Sequence, residues 1–165
     1  MQFELKTIHK EAVPRALAKA EHYRLLNEPR EAESICRDVL AAEPGNQQAL
    51  TTLALALTDQ FIDGDVAHAA KDAEAAIAQL NDAYGRAYFG GLVAERRAKA
   101  QHRRGVAGFY VFEGVRKAMR LFEQAIELAP PGNEDAVLRW NTCARMVMND
   151  ANLRPETPSD AWMLE

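Results

Sequence analysis

The side chains that most often perform catalysis are scattered along this sequence. The histidines lie far from one another, at His9, His22, His68 and His102. None belongs to an HExxH motif or pairs with a cysteine at metal-ligand spacing, and no serine sits in a GxSxG turn. The acidic run at 63–65 lacks the later carboxylates of a calcium loop. We therefore expect no catalytic residue, no metal site and no cofactor, and we do not expect an enzyme.

The two cysteines give no sign of a disulfide framework. Cys36 and Cys143 are far apart and neither belongs to a CxxC pair. We expect two small buried thiols in a reducing compartment. The first residues of the sequence contain no apolar core of a secretory signal, and no apolar run reaches the roughly 20 residues that span a bilayer. These features predict a cytoplasmic protein with no membrane partner.

The strongest concentration of charge lies between residues 95 and 104. One carboxylate, Glu95, stands there against five cations, Arg96, Arg97, Lys99, Arg103 and Arg104. Arg and Lys bind carboxylates and phosphates by charge-assisted hydrogen bonds, so one interpretation is a contact with an acidic partner. The other interpretation is a solvated helix end whose cations offset the helix dipole. The whole chain has a formal charge of −4, so nucleic acid is not expected as a partner, although an accessory contact through this stretch stays an alternative.

An apolar run follows the cations. Phe109 and Phe112 fit the apolar stripe of the next helix, whereas Tyr110 and Val111 are expected to lie off it. One interpretation is an exposed tip that contacts a second copy of the chain. The alternative is a longer hairpin that closes on itself, since single exposed apolar residues are common on protein surfaces.

Composition indicates what kind of structure positions these residues. The chain has 165 residues, of which 48% are hydrophobic and only 7% aromatic. Alanine is abundant and β-branched runs are few, which favours helices over strands. A chain of this length normally forms one domain, so we predict a single all-α domain over 1–165.

Two segments of the sequence repeat the same pattern of small and apolar residues. The segments are 31–44 and 117–130, and both read as amphipathic helices that end at a proline. Four positions correspond: Ala32 with Ala118, Cys36 with Phe122, Val39 with Ala125 and Pro44 with Pro130. A weaker copy, with the same internal spacings, holds Ala69, Ala73, Ala76 and Asn81. Each copy is followed by a short polar turn and a new helix, which predicts stacked helical hairpins.

This pattern resembles a degenerate tetratricopeptide repeat, as found in bacterial tetratricopeptide proteins. The resemblance implies a right-handed α-α superhelix of about three helical hairpins plus a C-terminal capping helix. The repeats would cover about 12–44, 47–81 and 83–130, the capping helix about 134–150, and an extended tail 151–165. It also implies binding of a protein or peptide in a concave groove. By position, that groove would be lined by Leu17, Ala18, Glu21, Arg24, Thr51, Thr52, Leu55, Tyr88, Phe89 and Leu92.

The positions at which some members of that family clamp a terminal carboxylate hold other residue types here, among them Leu17, Glu21 and Tyr88. The resemblance therefore implies no such clamp. The groove could instead be filled by the end of the chain, with Trp162 and Leu164 docking back.

The third repeat is about 15 residues longer than the roughly 34-residue period of the family. Both of its helices, about 83–104 and 109–129, are expected to gain about two turns. A stripe of small residues from Ala87 to Ala98 is expected to face the apolar stripe of the second helix, from Phe112 to Phe122. The sequence predicts a non-catalytic adaptor that binds a protein or peptide, and the cations between residues 96 and 104 favour an acidic one. The alternatives are a module that dimerises and an accessory subunit that touches nucleic acid.

Overall fold

A computed structural model describes residues 3–62 and 64–156 of the chain. Over these residues the protein contains seven α-helices and no strand, which confirms the all-α prediction. The chain divides into two compact units whose boundary lies between Asn81 and Asp82. The single domain predicted for 1–165 stays a prediction. None of the helices in the described part combines the length and the apolar character that crossing a membrane requires.

The first unit contains four helices joined by short turns. They are α1 (Val13–Leu25), α2 (Pro29–Ala42), α3 (Gln47–Asp59) and α4 (Val66–Ala78). Proline starts α2, where its missing N–H is not needed. Asn46 caps α3 by accepting from the Ala49 N–H at 2.9 Å, and Asp65 caps α4 by accepting from the Ala67 and His68 N–H groups. The helices α1 and α2 lie within the first predicted repeat, 12–44, and α3 and α4 lie within the second, 47–81.

Small buried residues allow the helices of this unit to pack closely. Ala20, Ala32, Cys36 and Ala49 are fully buried. Each helix packs against the next one in sequence, and α1 also packs against α3. This pattern of near neighbours is what tandem helical hairpins produce.

The second unit contains α5 (Ala83–Arg103), α6 (Gly108–Leu128) and α7 (Asp135–Asn149). Helices α5 and α6 have 21 residues each, so the predicted lengthening of this hairpin is confirmed. Asp82 caps α5 by accepting from the Tyr84 and Gly85 N–H groups. Helix α6 packs against both α5 and α7, and α7 also reaches α5.

Two glycines set the approach of α5 and α6. A Cβ atom at Gly91 would lie 2.6 Å from Cε1 of Phe122, and one at Gly114 would lie 3.1 Å from Cβ of Ala98. Phe122 is fully buried. The small-residue stripe predicted from Ala87 to Ala98 therefore does face α6.

After α7 the chain returns to the start of α6. Leu153 is buried, and a Cβ atom at Gly108 would lie 2.1 Å from the backbone oxygen of Asn152. His102 Nε2 lies 3.4 Å from Oδ2 of Asp150. The stretch 150–153 therefore packs against the hairpin turn of the same unit. The predicted docking of Trp162 and Leu164 lies outside the described residues.

Candidate functional site

The groove residues predicted on the first unit fall into two groups. Leu17 and Thr52 are buried and belong to the core, so they offer little surface to a partner. Ala18 and Glu21 are exposed on α1, and Arg24, Thr51 and Leu55 are half-buried. The accessible part of this predicted surface is therefore smaller than the sequence pattern suggests.

Side chains on α1 and α3 bind one another across this surface. Gln48 Nε2 donates to Oε1 of Glu21 at 2.8 Å, and Arg24 Nε donates to Oδ2 of Asp59 at 2.8 Å. Both members of the Arg24–Asp59 pair are about four-fifths covered, which shields the pair from water. A partner that uses Glu21 or Arg24 must therefore compete with these contacts.

The two predicted aromatic residues of α5, Tyr88 and Phe89, contact one another, and Tyr84 joins them. The rings of Tyr84 and Tyr88 stack with centroids 5.6 Å apart, and Phe89 meets Tyr88 edge-on at 5.2 Å. Tyr84 and Tyr88 pack against a buried cluster that contains Ala136 of α7. Both tyrosines and Phe89 remain half-buried, whereas Leu92 is buried. Tyr88 and Phe89 can therefore offer partial ring faces, and Leu92 cannot.

Four of the five predicted cations lie on the last turns of α5, and Arg104 follows directly after its end. Arg103 and Arg104 are exposed, and Arg96, Arg97 and Lys99 are half-buried. Spacing by seven residues places Arg96 with Arg103, and Arg97 with Arg104, on shared faces of the helix. The cations thus cover more than one side of the helix end.

The apolar run at the start of α6 differs from its prediction. Tyr110 is 53% exposed, as expected for a residue off the core stripe, but Val111 is fully buried. The prediction for Val111 is therefore wrong. Val111 lies four residues before Val115, so both fall on the same face of α6 and both enter the core.

One cluster was not anticipated from the sequence. The side chain of Glu95 is 1% exposed, and Lys99 of α5 and Arg139 of α7 both lie against its Oε1 atom. Lys99 donates to that oxygen directly, and Nη1 of Arg139 lies 3.5 Å from it. The other oxygen, Oε2, is buried without a hydrogen-bond partner. We call Glu95, Lys99 and Arg139 the charge cluster.

The sequence contains a signal for one of the two ion pairs in the charge cluster. Glu95 and Lys99 are four residues apart on one helix, the spacing at which Glu and Lys side chains meet. Nothing local to either segment connects them to Arg139, because that contact depends on how α7 packs.

The cysteines are buried and free, as predicted. Burial raises the pKa of Cys36 to about 12 and, equally, raises the pKa of Cys143 to about 12. The carboxylate of Glu95 adds to the rise at Cys143, whereas Lys99 and Arg139 oppose it. Cys143 therefore lies close to the charge cluster, but its thiol stays protonated at neutral pH and is a poor nucleophile.

Within residues 3–62 and 64–156, no group of three or more His, Cys, Asp and Glu side chains is placed to hold a metal ion. What the second unit does present is cations at a helix end, partly open aromatic rings, and a buried carboxylate that holds two cations. Comparison of the chain with family models, with curated proteins and with solved structures finds no match.

Proposed function

We propose that this chain is a non-catalytic adaptor that binds an acidic protein or peptide partner through the C-terminal half of α5. The observation that carries the proposal is the charge distribution there. Five cations reach the surface, whereas the carboxylate that precedes them, Glu95, is buried. A partner therefore meets positive charge with little compensation from the same helix.

The charge available for binding is local. The chain as a whole has a formal charge of −4, so long-range attraction does not favour polyanions such as nucleic acid. Arg97 and Arg103 have no ion-pair partner among the residues that the structure describes. Guanidinium groups of this kind can bind a carboxylate in bidentate geometry.

A second contact surface supports the same function. Tyr88 and Phe89 on α5 are half-buried aromatic residues. Rigid aromatic side chains bind partners at a small entropy loss, which makes Tyr88 and Phe89 suitable anchors. This surface belongs to the first helix of its hairpin, where the resemblance places a groove.

The proposed function includes a proposed fold family. We take the helices to be tandem hairpins of a tetratricopeptide-like superhelix. Support comes from the packing of each helix on the next within each unit, and from the glycine and alanine residues at the closest approach of α5 and α6.

The proposal is tested by affinity capture from native lysate, followed by direct titration of the captured protein. Arg97→Glu/Arg103→Glu should lose the partner, and Tyr88→Ala should weaken it. Arg15→Glu/Lys19→Glu, on the exposed face of α1, is the matched control because it changes net charge equally. Loss of the partner from both double variants would reduce the effect to overall charge, and retention by all three variants would refute the proposal.

Self-association is the second candidate function. It is favoured by Tyr110, which is 53% exposed at the start of α6 with its ring centroid 4.1 Å from that of Phe109. Sedimentation over a hundredfold concentration range tests it. A monomer at all concentrations would rule this candidate out, whereas a dimer that Tyr110→Ser dissociates would support it.

A further inference from the structure

The charge cluster has features that a simple tie between two helices does not need. The Glu95 side chain is 1% exposed, and the side chains of Lys99 and Arg139 are 31% and 37% exposed. The carboxylate is therefore inside the unit while both cations extend from it to the surface. The contact joins α5 to α7.

Removing a carboxylate from water costs several kcal/mol, which paired cations offset only when the geometry is good. Here both cations share Oε1, and Oε2 is buried with no hydrogen bond. Two apolar side chains would hold α5 and α7 together at least as well. The buried carboxylate is better explained by its effect on the two cations. Its Oε1 atom holds Lys99 and Arg139 next to each other.

Both cations keep donors for another acceptor. A lysine ammonium has three N–H groups and an arginine guanidinium has five. Among the described residues, Glu95 is the one ion-pair partner of each of these two side chains. Since each side chain is about one-third exposed, the remaining donors can reach a ligand from solvent.

We propose that Lys99 and Arg139 together bind one side-chain carboxylate of an acidic peptide, with Glu95 as the positioning residue that holds both cations. This inference rests on the proposed function and identifies two residues that would contact the acidic partner. It also adds α7 to the binding surface, which the sequence pattern assigned to α5.

Charge favours a carboxylate over a phosphate. The charge cluster has two positive charges and one negative charge, so one additional negative charge neutralises it. A phosphate group carries nearly two negative charges at pH 7 and would leave an excess of negative charge beside the buried Glu95.

The test uses the full chain and a fluorescein-labelled hexaglutamate peptide whose C terminus is amidated, with hexaglutamine as the comparison peptide. Fluorescence anisotropy measures binding at low salt. Wild type should bind hexaglutamate and not hexaglutamine. Arg139→Gln and Lys99→Gln should each weaken binding by about tenfold or more, the effect of losing a charge-assisted hydrogen bond.

Arg145→Gln is the matched control. Arg145 is exposed on the same helix, and its loss changes net charge equally. It should weaken binding by about twofold, because exposed charges act weakly at a distance. Arg139→Lys, which retains the charge, should keep most of the affinity. Circular dichroism and thermal melting confirm that each variant is folded, and Arg139→Gln, which leaves Lys99 on Glu95, serves if Lys99→Gln unfolds.

The outcomes separate the two proposals. Absence of hexaglutamate binding to wild type would overturn both. Binding to wild type that Arg139→Gln weakens no more than Arg145→Gln does would overturn this inference and leave the proposed function standing. Stronger competition by a phosphoserine hexapeptide than by unlabelled hexaglutamate would overturn the assignment of a carboxylate.

Discussion

Replacing Gly91 with alanine tests the packing of α5 against α6. The new Cβ atom would lie 2.6 Å from Cε1 and 2.7 Å from Cδ1 of Phe122. Real Cβ atoms do not approach ring carbons so closely, so the ring or the helix must move. Phe122 is fully buried and its ring centroid lies 6.1 Å from that of Tyr88, which restricts where the ring can go.

Two opposing effects set the magnitude. Overpacking a well-filled core costs about 1–3 kcal/mol. Alanine favours the helix over glycine by about 1 kcal/mol. We therefore expect Gly91→Ala to lower the free energy of unfolding by up to about 2 kcal/mol. For a chain of this size the melting temperature falls by about 2–4 °C for each kcal/mol.

The neighbouring residue provides the control. A Cβ atom at Gly90 would lie 3.7 Å from Cδ1 of Leu121, an ordinary contact. Gly90→Ala should therefore gain the helix preference of alanine without a packing cost. Its free energy of unfolding should rise by about 1 kcal/mol. Urea titration followed by circular dichroism at 222 nm compares the two variants.

A double variant shows whether the ring is the cause. Phe122→Leu removes the ring atoms that the new Cβ would meet, so its cost should be smaller in the Gly91→Ala background than in wild type. The coupling between such contacting residues is about 0.5–3 kcal/mol. Equal stability of Gly91→Ala and Gly90→Ala, or additive effects in the double variant, would refute the packing described here.

Three further predictions concern other parts of the chain. Asp82→Ala should cost about 1 kcal/mol by removing the cap of α5, and Asp82→Asn should restore most of it in thermal melting. Gly108→Ala should displace the stretch 150–153, because its Cβ would lie 2.1 Å from the backbone oxygen of Asn152; faster chymotryptic cleavage after Leu153, which is buried in wild type, measures this, and unchanged cleavage would contradict it. Because burial raises the thiol pKa of Cys36 and of Cys143 from 9.0 to about 12, the unfolded chain loses these protons first, so stability should fall as the pH rises from 9 to 12. Urea titrations at pH 8 and pH 10 test this, with Cys36→Ala/Cys143→Ala as the comparison; an equal loss in both proteins would exclude the thiols as the cause.

The helices themselves could be predicted because their signals are local. The apolar spacing, the closing prolines Pro44 and Pro130 and the short polar turns are all read from adjacent residues. The small residues from Ala87 to Ala98 also predicted the close face of α5. Each of these signals depends on helix geometry, which is the same wherever the helix packs.

The candidate site was less predictable, because it depends on tertiary packing. The burial of Glu95 against Arg139 joins residues on two separate helices, and no local pattern indicates it. Leu17, Thr52 and Leu92 are buried, although their positions in the repeat suggested a groove surface. For Val111 the signal was present, since its spacing from Val115 places both on one face.

The close approaches of Gly91 to Phe122 and of Gly114 to Ala98 restrict where the chain can gain or lose residues. One residue inserted into α5 between positions 91 and 98 would rotate everything after it by about 100°. The arginines beyond the insertion would turn toward α6, and the alanines there would turn toward water. Such an insertion is tolerated only in the turn at 104–107, whereas within the hairpin both helices must lengthen together by whole turns.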